Sequence, residues 1–123
     1  MKRSKERPST SQRKHALMEQ ITAFVDANLT EKLTLKAISA HCNVSVSTVT
    51  QLFQKKASTT FHDFVTERRM EMARKLIYED MPLEQVGKEI GYRDHSTFYR
   101  AFRKYFDVSP REYRIQVFAE KNT

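Results

Sequence analysis

The apolar positions of this chain follow the same order twice, in residues 34–58 and in residues 82–107, which we call the first and second repeat. Matching positions lie 48 residues apart before the turn of each repeat and 49 after it. The pairs are Leu35 and Leu83, Ile38 and Val86, Cys42 and Ile90, Val49 and Phe98, and Phe53 and Phe102. Each repeat therefore predicts a short helix, a tight turn and a second helix, which is the outline of a helix-turn-helix.

Helical periodicity extends over most of the remaining chain and predicts seven helices in all. Five cover residues 15–28, 35–41, 46–56, 61–78 and 83–90, and two more begin after Asp94 and at Pro110. Thr34, Ser45, Asp94 and Ser109 stand where an N-cap is needed, and all four are good capping residues. The predicted fold is an all-α bundle in which a long linker helix bridges two helix-turn-helix subdomains.

Composition divides the chain into five segments. Residues 1–14 are polar, basic and without periodicity, which predicts a disordered tail. The other segments are the first subdomain (15–58), the linker helix (59–80), the second subdomain (81–118) and a short C-terminal tail (119–123). On the linker helix, Arg69 lies among apolar positions. Because a charge there needs a partner, we expect it to hydrogen-bond to the first subdomain.

The charge balance favours an anionic partner such as nucleic acid, since 22 Lys and Arg oppose 15 Asp and Glu. The sole cysteine, Cys42, excludes an internal disulfide and indicates a reducing compartment. No apolar run is long enough to span a membrane. We therefore predict a cytoplasmic protein associated with the nucleoid. The sequence has no Gly-rich phosphate loop, nucleophile motif or metal-ligand spacing, so we predict neither an enzyme nor a cofactor.

The second helix of each repeat carries polar side chains that can hydrogen-bond to base edges. Arg can read guanine, Gln can read adenine, and Ser or Thr can serve either. The predicted base-reading residues are Ser47, Thr50 and Gln51 in the first repeat, and His95, Ser96, Tyr99 and Arg100 in the second. Phosphate contacts position a protein without specifying sequence. The predicted phosphate contacts are Ser45, Thr48, Lys55, Lys56, Arg103 and Lys104.

The run IGYRDHSTFYRAFRKYFDVSPREYR at residues 90–114 resembles the signature of the AraC/XylS family of bacterial transcription regulators. Further matches are Leu52 and Phe53 in the first repeat, and Arg69, Ala73 and Leu76 in the linker helix. The resemblance covers about residues 17–116. The chain departs from the family pattern at Ser58 and Asp107, where the family usually has Gly, and at Gly87, where Ala is commoner.

The resemblance implies that two recognition helices enter the major groove of double-stranded DNA one turn apart. It predicts a sequence-specific transcription regulator, an activator that contacts RNA polymerase and acts as a monomer on an asymmetric promoter site. The chain is then either a stand-alone regulator or an excised DNA-binding domain. Two alternatives stay open: a non-specific architectural nucleic-acid binder, and a protein-interaction anti-activator module that does not read bases.

Overall fold

The computed structural model describes residues 9–123, and in this part of the chain all regular structure is helical. The seven predicted helices are present, and the all-α fold is confirmed. They are α1 (Thr10–Ala27), α2 (Leu35–Cys42), α3 (Val46–Leu52), α4 (Phe61–Tyr78), α5 (Leu83–Glu89), α6 (His95–Phe106) and α7 (Pro110–Lys121). A π-helical turn, Phe53–Ala57, continues α3. The predicted helix over 46–56 thus changes its winding after Leu52.

Side-chain caps fix where the helices begin. The hydroxyls of Thr34, Ser45 and Ser109 and the carboxylate of Asp94 each accept a hydrogen bond from the backbone N–H three residues later. All four predicted caps are therefore confirmed. Thr60 caps α4 in the same way. These bonds satisfy N–H groups that have no partner inside the helix.

The first helix begins earlier than predicted, and the last helix runs into the predicted C-terminal tail. Helix α1 begins at Thr10, inside the predicted tail, because Ser9 and Gln12 cap each other reciprocally in a capping box. The predicted disorder of residues 1–8 lies outside the described residues. At the other end, α7 continues to Lys121 and so includes residues 119–121 of the predicted C-terminal tail. There the Lys121 ammonium lies 4.1 Å from the centroid of the Tyr78 ring and donates to the Tyr78 carbonyl.

Helix α4 belongs to both hydrophobic cores of the molecule. Phe61 and Val65 near its start pack into the first core, with residues from α1, α2 and α3. Ala73 and Ile77 further along pack into the second core, with residues from α5 and α6. Met72 contacts both. Burying each large apolar side chain contributes about 1.5–3 kcal/mol, so neither subdomain has a complete core without the linker helix.

The first helix of each helix-turn-helix buries a small residue. Ser39 of α2 and Gly87 of α5 are both buried. A Cβ atom added at Gly87 would lie 3.2 Å from the ring of Phe98 on α6. The family's commoner Ala would therefore be tight at this position, and Gly87 lets the second recognition helix lie closer to α5.

The C-termini of both recognition helices adopt the left-handed conformation without glycine. Ser58 follows the π-helical turn with φ 53°, and Asp107 follows α6 with φ 64°. A residue in the left-handed conformation ends a helix and lets the chain reverse direction. Gly adopts this conformation readily because it has no Cβ atom, whereas other residues adopt it at a cost that is smallest for Asn and Asp. Ser58 and Asp107 thus adopt the backbone conformation for which the family usually has Gly, at a higher conformational free energy than Gly would have.

The carbonyl of Leu29, just after α1, is the point at which both subdomains meet the linker helix. The Arg69 guanidinium donates from Nε and Nη2 to this oxygen, at 3.3 and 3.1 Å, and from Nη2 to the Glu31 carbonyl at 3.1 Å. Gly91, in the turn of the second repeat, packs against the same carbonyl. We call Leu29, Arg69 and Gly91 the junction. The predicted hydrogen-bonding role of Arg69 is confirmed.

A bidentate ion pair reinforces the junction one residue away. Arg68 donates to the Asp26 carboxylate from Nε at 2.8 Å and from Nη2 at 2.7 Å. The hydrogen bond to Asp26 raises the pKa of the Arg68 guanidinium. Two parallel bonds fix direction as well as distance. The end of α1 is therefore fastened to the middle of α4 by two consecutive arginines.

Gly91→Ala should destabilise the protein strongly. Its Cβ would lie 2.2 Å from the Leu29 oxygen, and the φ of 98° disfavours any side chain. We expect a loss of about 3 kcal/mol, measured by urea unfolding. Gly87→Ala is the matched control: its Cβ would come no closer than 3.2 Å to the Phe98 side chain, Gly87 does not have a positive φ, and the change raises helix propensity. Equal losses for the two variants would contradict the steric role of the junction.

Arg69→Ala should lower the free energy of unfolding by about 2 kcal/mol, because it leaves the Leu29 carbonyl without its charged donor. Arg74→Ala, on the same helix, is the control; Arg74 is exposed and pairs with Glu71 one turn away. Thermal unfolding measures both. Unchanged stability of Arg69→Ala combined with loss of DNA binding would show that Arg69 contacts DNA instead.

Candidate nucleic-acid interface

Helices α3 and α6 each bury one face and expose the other. Val49 and Leu52 direct α3 into the first core, and Phe98 and Phe102 direct α6 into the second. The polar side chains between these positions face outward because the helical repeat places them on the opposite side. Each subdomain thus presents one polar helix face, in the arrangement that a helix-turn-helix uses to enter the major groove.

On α3, Ser47 and Gln51 are exposed and Thr50 is half-buried. The Gln51 amide donates to the Ser47 hydroxyl at 3.3 Å, so the two side chains lie together on one turn. Ser45 is exposed, and its hydroxyl caps the helix by accepting the Thr48 N–H at 3.0 Å while lying 2.8 Å from the Thr48 hydroxyl. The hydroxyls of Ser45, Ser47 and Thr48 and the Gln51 amide therefore give the start of α3 a surface of neutral hydrogen-bonding groups.

On α6, His95, Ser96 and Arg100 are exposed, and Tyr99 is half-buried. The rings of His95 and Tyr99 lie 5.5 Å apart. Asp94, the cap of α6, has its pKa lowered by the hydrogen bond from the Thr97 hydroxyl, with smaller contributions from backbone N–H groups and from Arg100. The second face is thus more aromatic than the first and carries the cation of Arg100.

The basic residues among the predicted phosphate contacts lie beyond these faces. Lys55 and Lys56 are exposed on the π-helical turn, whose wider winding changes the direction in which they leave the helix. Arg103 is exposed and pairs with Glu112 at 3.4 Å. Lys104 lines a groove between α4 and α6, together with Arg69 and Tyr105. All these side chains are accessible to a phosphate backbone.

The repeat register pairs the two faces position by position. Ser47 corresponds to Ser96, Thr50 to Tyr99 and Gln51 to Arg100, each 49 residues apart. Only the serine is shared. Equivalent positions of the two helices therefore present different hydrogen-bonding groups, an amide at Gln51 and a guanidinium at Arg100.

Two further basic residues join these faces, and neither was among the predicted contacts of the two repeats. Lys14 lies across a groove from Lys55 and Lys56 because α1 starts earlier than predicted. The Ser9-x-x-Gln12 pattern of a capping box was the signal that could have placed it. Arg111, in the first turn of α7, lines a groove with His95 and Tyr99. Its position depends on how α7 packs, which no local pattern indicates.

Neither a candidate metal centre nor a membrane-spanning helix is found among residues 9–123. Among residues 9–123, no group of three or more His, Cys, Asp or Glu is placed to hold a metal ion. Within the same part of the chain, every helix is too short or too polar to cross a membrane. The arrangement can donate and accept hydrogen bonds and can neutralise anionic charge.

Comparison with known proteins agrees with this arrangement. A family model described as a helix-turn-helix domain matches residues 38–116. An uncharacterised helix-turn-helix transcriptional regulator of Escherichia coli, YijO, is 32% identical over 108 residues, covering 87% of this chain and 38% of the relative. The multiple antibiotic resistance protein MarA of Salmonella typhimurium is 28% identical over 99 residues, covering 80% of this chain and 78% of the relative. The chain thus spans well under half the length of some relatives and most of others.

Solved structures share the fold. An AraC-type DNA-binding regulator from Chromobacterium violaceum is 25% identical with a TM-score of 0.78, covering 84% of this chain and 93% of the other. The DNA-binding domain of the transcription factor AdpA, solved with a target DNA, is 21% identical with a TM-score of 0.75, covering 87% of this chain and 96% of the other. The repeats, the fold and the matched residues lead to one conclusion: the chain belongs to the AraC/XylS family of helix-turn-helix transcription regulators.

Proposed function

We propose that the chain binds DNA sequence-specifically, with α3 and α6 in adjacent major-groove segments on one face of the duplex. The observation that carries this proposal is the attachment of both recognition helices to α4 through two cores and one junction. The 18 residues of α4 extend roughly 27 Å at 1.5 Å per residue. This length is comparable to the ~34 Å of one DNA turn.

The target site of this proposal is asymmetric and is bound by one copy of the chain. One chain already carries two recognition helices, so a two-fold symmetric partner is not needed to contact two half-sites. The different side chains at equivalent positions, Gln51 and Arg100, support different half-site sequences. The AdpA structure, which contains target DNA, supports double-stranded DNA as the partner of this fold.

The regulatory output follows by family analogy. We propose that the bound protein activates transcription by contacting RNA polymerase, in the cytoplasm and at the nucleoid. The support is the relatedness to transcription regulators such as YijO and MarA. A reporter gene behind the selected site would show the sign of regulation directly.

The proposal that both recognition helices bind one site can be tested in two steps. Bound sequences are first selected from a random DNA library, and the spacing between the selected half-sites is then changed. Inserting five base pairs between the selected half-sites, about half a DNA turn, should abolish high-affinity binding because the junction holds the two helices in one orientation. Binding that tolerates the insertion would mean that only one helix reads DNA. Equal affinity for selected and random DNA would favour the architectural alternative, and no binding to either would favour the protein-interaction module.

Arg100→Ala should weaken specific binding by about 1–3 kcal/mol and relax the preference at one base pair, expected to be guanine. Arg103→Ala is the matched comparison, since Arg103 lies one turn later on α6 and is predicted to contact phosphate. It should weaken binding to selected and random DNA alike. Fluorescence anisotropy on both DNAs separates the two effects. A uniform loss for Arg100→Ala would assign it to phosphate.

Deleting residues 2–8 should weaken binding to selected and random DNA by similar factors. This segment contains Lys2, Arg3, Lys5 and Arg7, and basic residues of this kind add sequence-independent attraction to phosphates. The slope of log affinity against log salt should flatten by about 0.9 for each phosphate that the shortened protein no longer neutralises. The deletion spares the Ser9 cap of α1. A weakening confined to the selected site would show instead that the segment reads sequence.

A further inference from the structure

A small groove lies between the N-terminal half of α1 and the first recognition helix. Leu17 of α1 and Leu52 of α3 supply apolar surface, and Lys14, Lys55 and Lys56 supply three cations. Gln51 and Thr48 add polar groups from the exposed face of α3. The cavity volume is about 190 Å³. The groove therefore combines apolar surface with positive charge beside residues that are predicted to contact DNA.

We propose that this groove binds a small organic anion, one apolar ring bearing a carboxylate, and that the bound anion excludes DNA from α3. The ring would lie against the two leucines and the carboxylate against the lysines. The proposal that the anion binds is based on the groove alone, whereas the proposal that it competes with DNA rests on the proposed function.

The charge of the groove selects an anion. No carboxylate lines it, and within residues 9–123 none of the three lysines forms an ion pair. Glu19, one helical turn further along α1, pairs with His15 at 3.7 Å. Three like charges around one space repel one another, and an anion placed among them relieves that repulsion. Lysine ammonium groups on long stems can close around such a ligand.

The apolar part of the groove selects a ring rather than a free inorganic ion. Leu52 is 4% exposed, and Leu17 is half-buried with one side open to the groove. Covering that open side removes apolar surface from water, which is favourable. The volume is below the roughly 300–1,000 Å³ of sites for drug-sized ligands. A single aromatic ring with one carboxylate matches both the size and the two kinds of surface.

Competition with DNA follows from shared residues. Thr48, Lys55 and Lys56 are predicted phosphate contacts, and Gln51 is a predicted base reader. All four also line the groove. An anion held there neutralises the lysines that would otherwise meet the phosphate backbone, so ligand and DNA cannot both use them. An anionic metabolite would thereby switch off the first subdomain at its own recognition helix.

Nuclear magnetic resonance of methyl-labelled leucines tests binding directly. Titration with benzoate should shift the methyl signals of Leu17 and Leu52 in a saturable way, with millimolar affinity. Benzamide, which is neutral and of similar shape, should bind far more weakly. Saturation by benzamide at equal affinity would overturn the role of charge. Inorganic phosphate that perturbs Lys55 while benzoate leaves both leucines unchanged would overturn the proposal in favour of a simple phosphate contact.

Charge variants locate the site. Lys14→Gln should weaken benzoate binding about two- to fivefold, as expected for one exposed charge pair, and Lys14→Glu should weaken it further. Lys88→Glu, an exposed position on α5, is the matched control and should leave benzoate affinity unchanged. Circular dichroism confirms that the variants fold. Equal losses for Lys14→Glu and Lys88→Glu would mean that benzoate senses only the net charge.

Anisotropy on the selected DNA tests competition at constant ionic strength. Benzoate at ten times its own dissociation constant should raise the apparent dissociation constant for DNA about elevenfold, if binding is mutually exclusive. Binding seen by magnetic resonance with unchanged DNA affinity would overturn the competition. A protein that binds benzoate but no DNA would contradict the proposed function and leave the anion site supported.

Discussion

The two subdomains, which share α4 between their cores, also meet at one carbonyl group, that of Leu29. It receives the Arg69 guanidinium from the linker helix and lies against Gly91 from the second subdomain. The Leu29 side chain is buried in the first core, so its carbonyl is held close to α1 and positions the elements that contact it. Contacts among the turn after α1, the linker helix and the turn of the second repeat therefore fix how the two subdomains are oriented. This orientation determines where the exposed faces of α3 and α6 point.

Local signals predicted most of the fold. The bounds of α4 match the prediction from its apolar stripe, and the caps Thr34, Ser45, Asp94 and Ser109 are where the sequence places them. Such features depend on residues within one or two turns. The pair of Asp26 and Arg68, 42 residues apart, could not be foreseen, because periodicity carries no information about which faces meet. The start of α1 was missed although its capping box is local.

For the candidate interface, the sequence predicted which side chains are exposed but not what they contact. Exposure of polar residues on α3 and α6 follows from helical spacing, and the structure agrees with it for Ser47, Gln51 and Arg100. The roles of these side chains on DNA stay predictions, because a base contact depends on the partner as well as on the protein. The groove at Lys14 and the position of Arg111 emerged only from tertiary packing.

The division of α4 between two cores has a consequence for how the protein folds and unfolds. Unfolding either half of α4 exposes the buried residues of one core to solvent and removes the helix that connects this core to the second one. The chain should therefore melt as one cooperative unit despite its two-part repeat, with no stable half left behind. A partly folded molecule that binds a single half-site would be short-lived. The concentration of DNA-binding molecules would therefore equal the concentration of fully folded molecules.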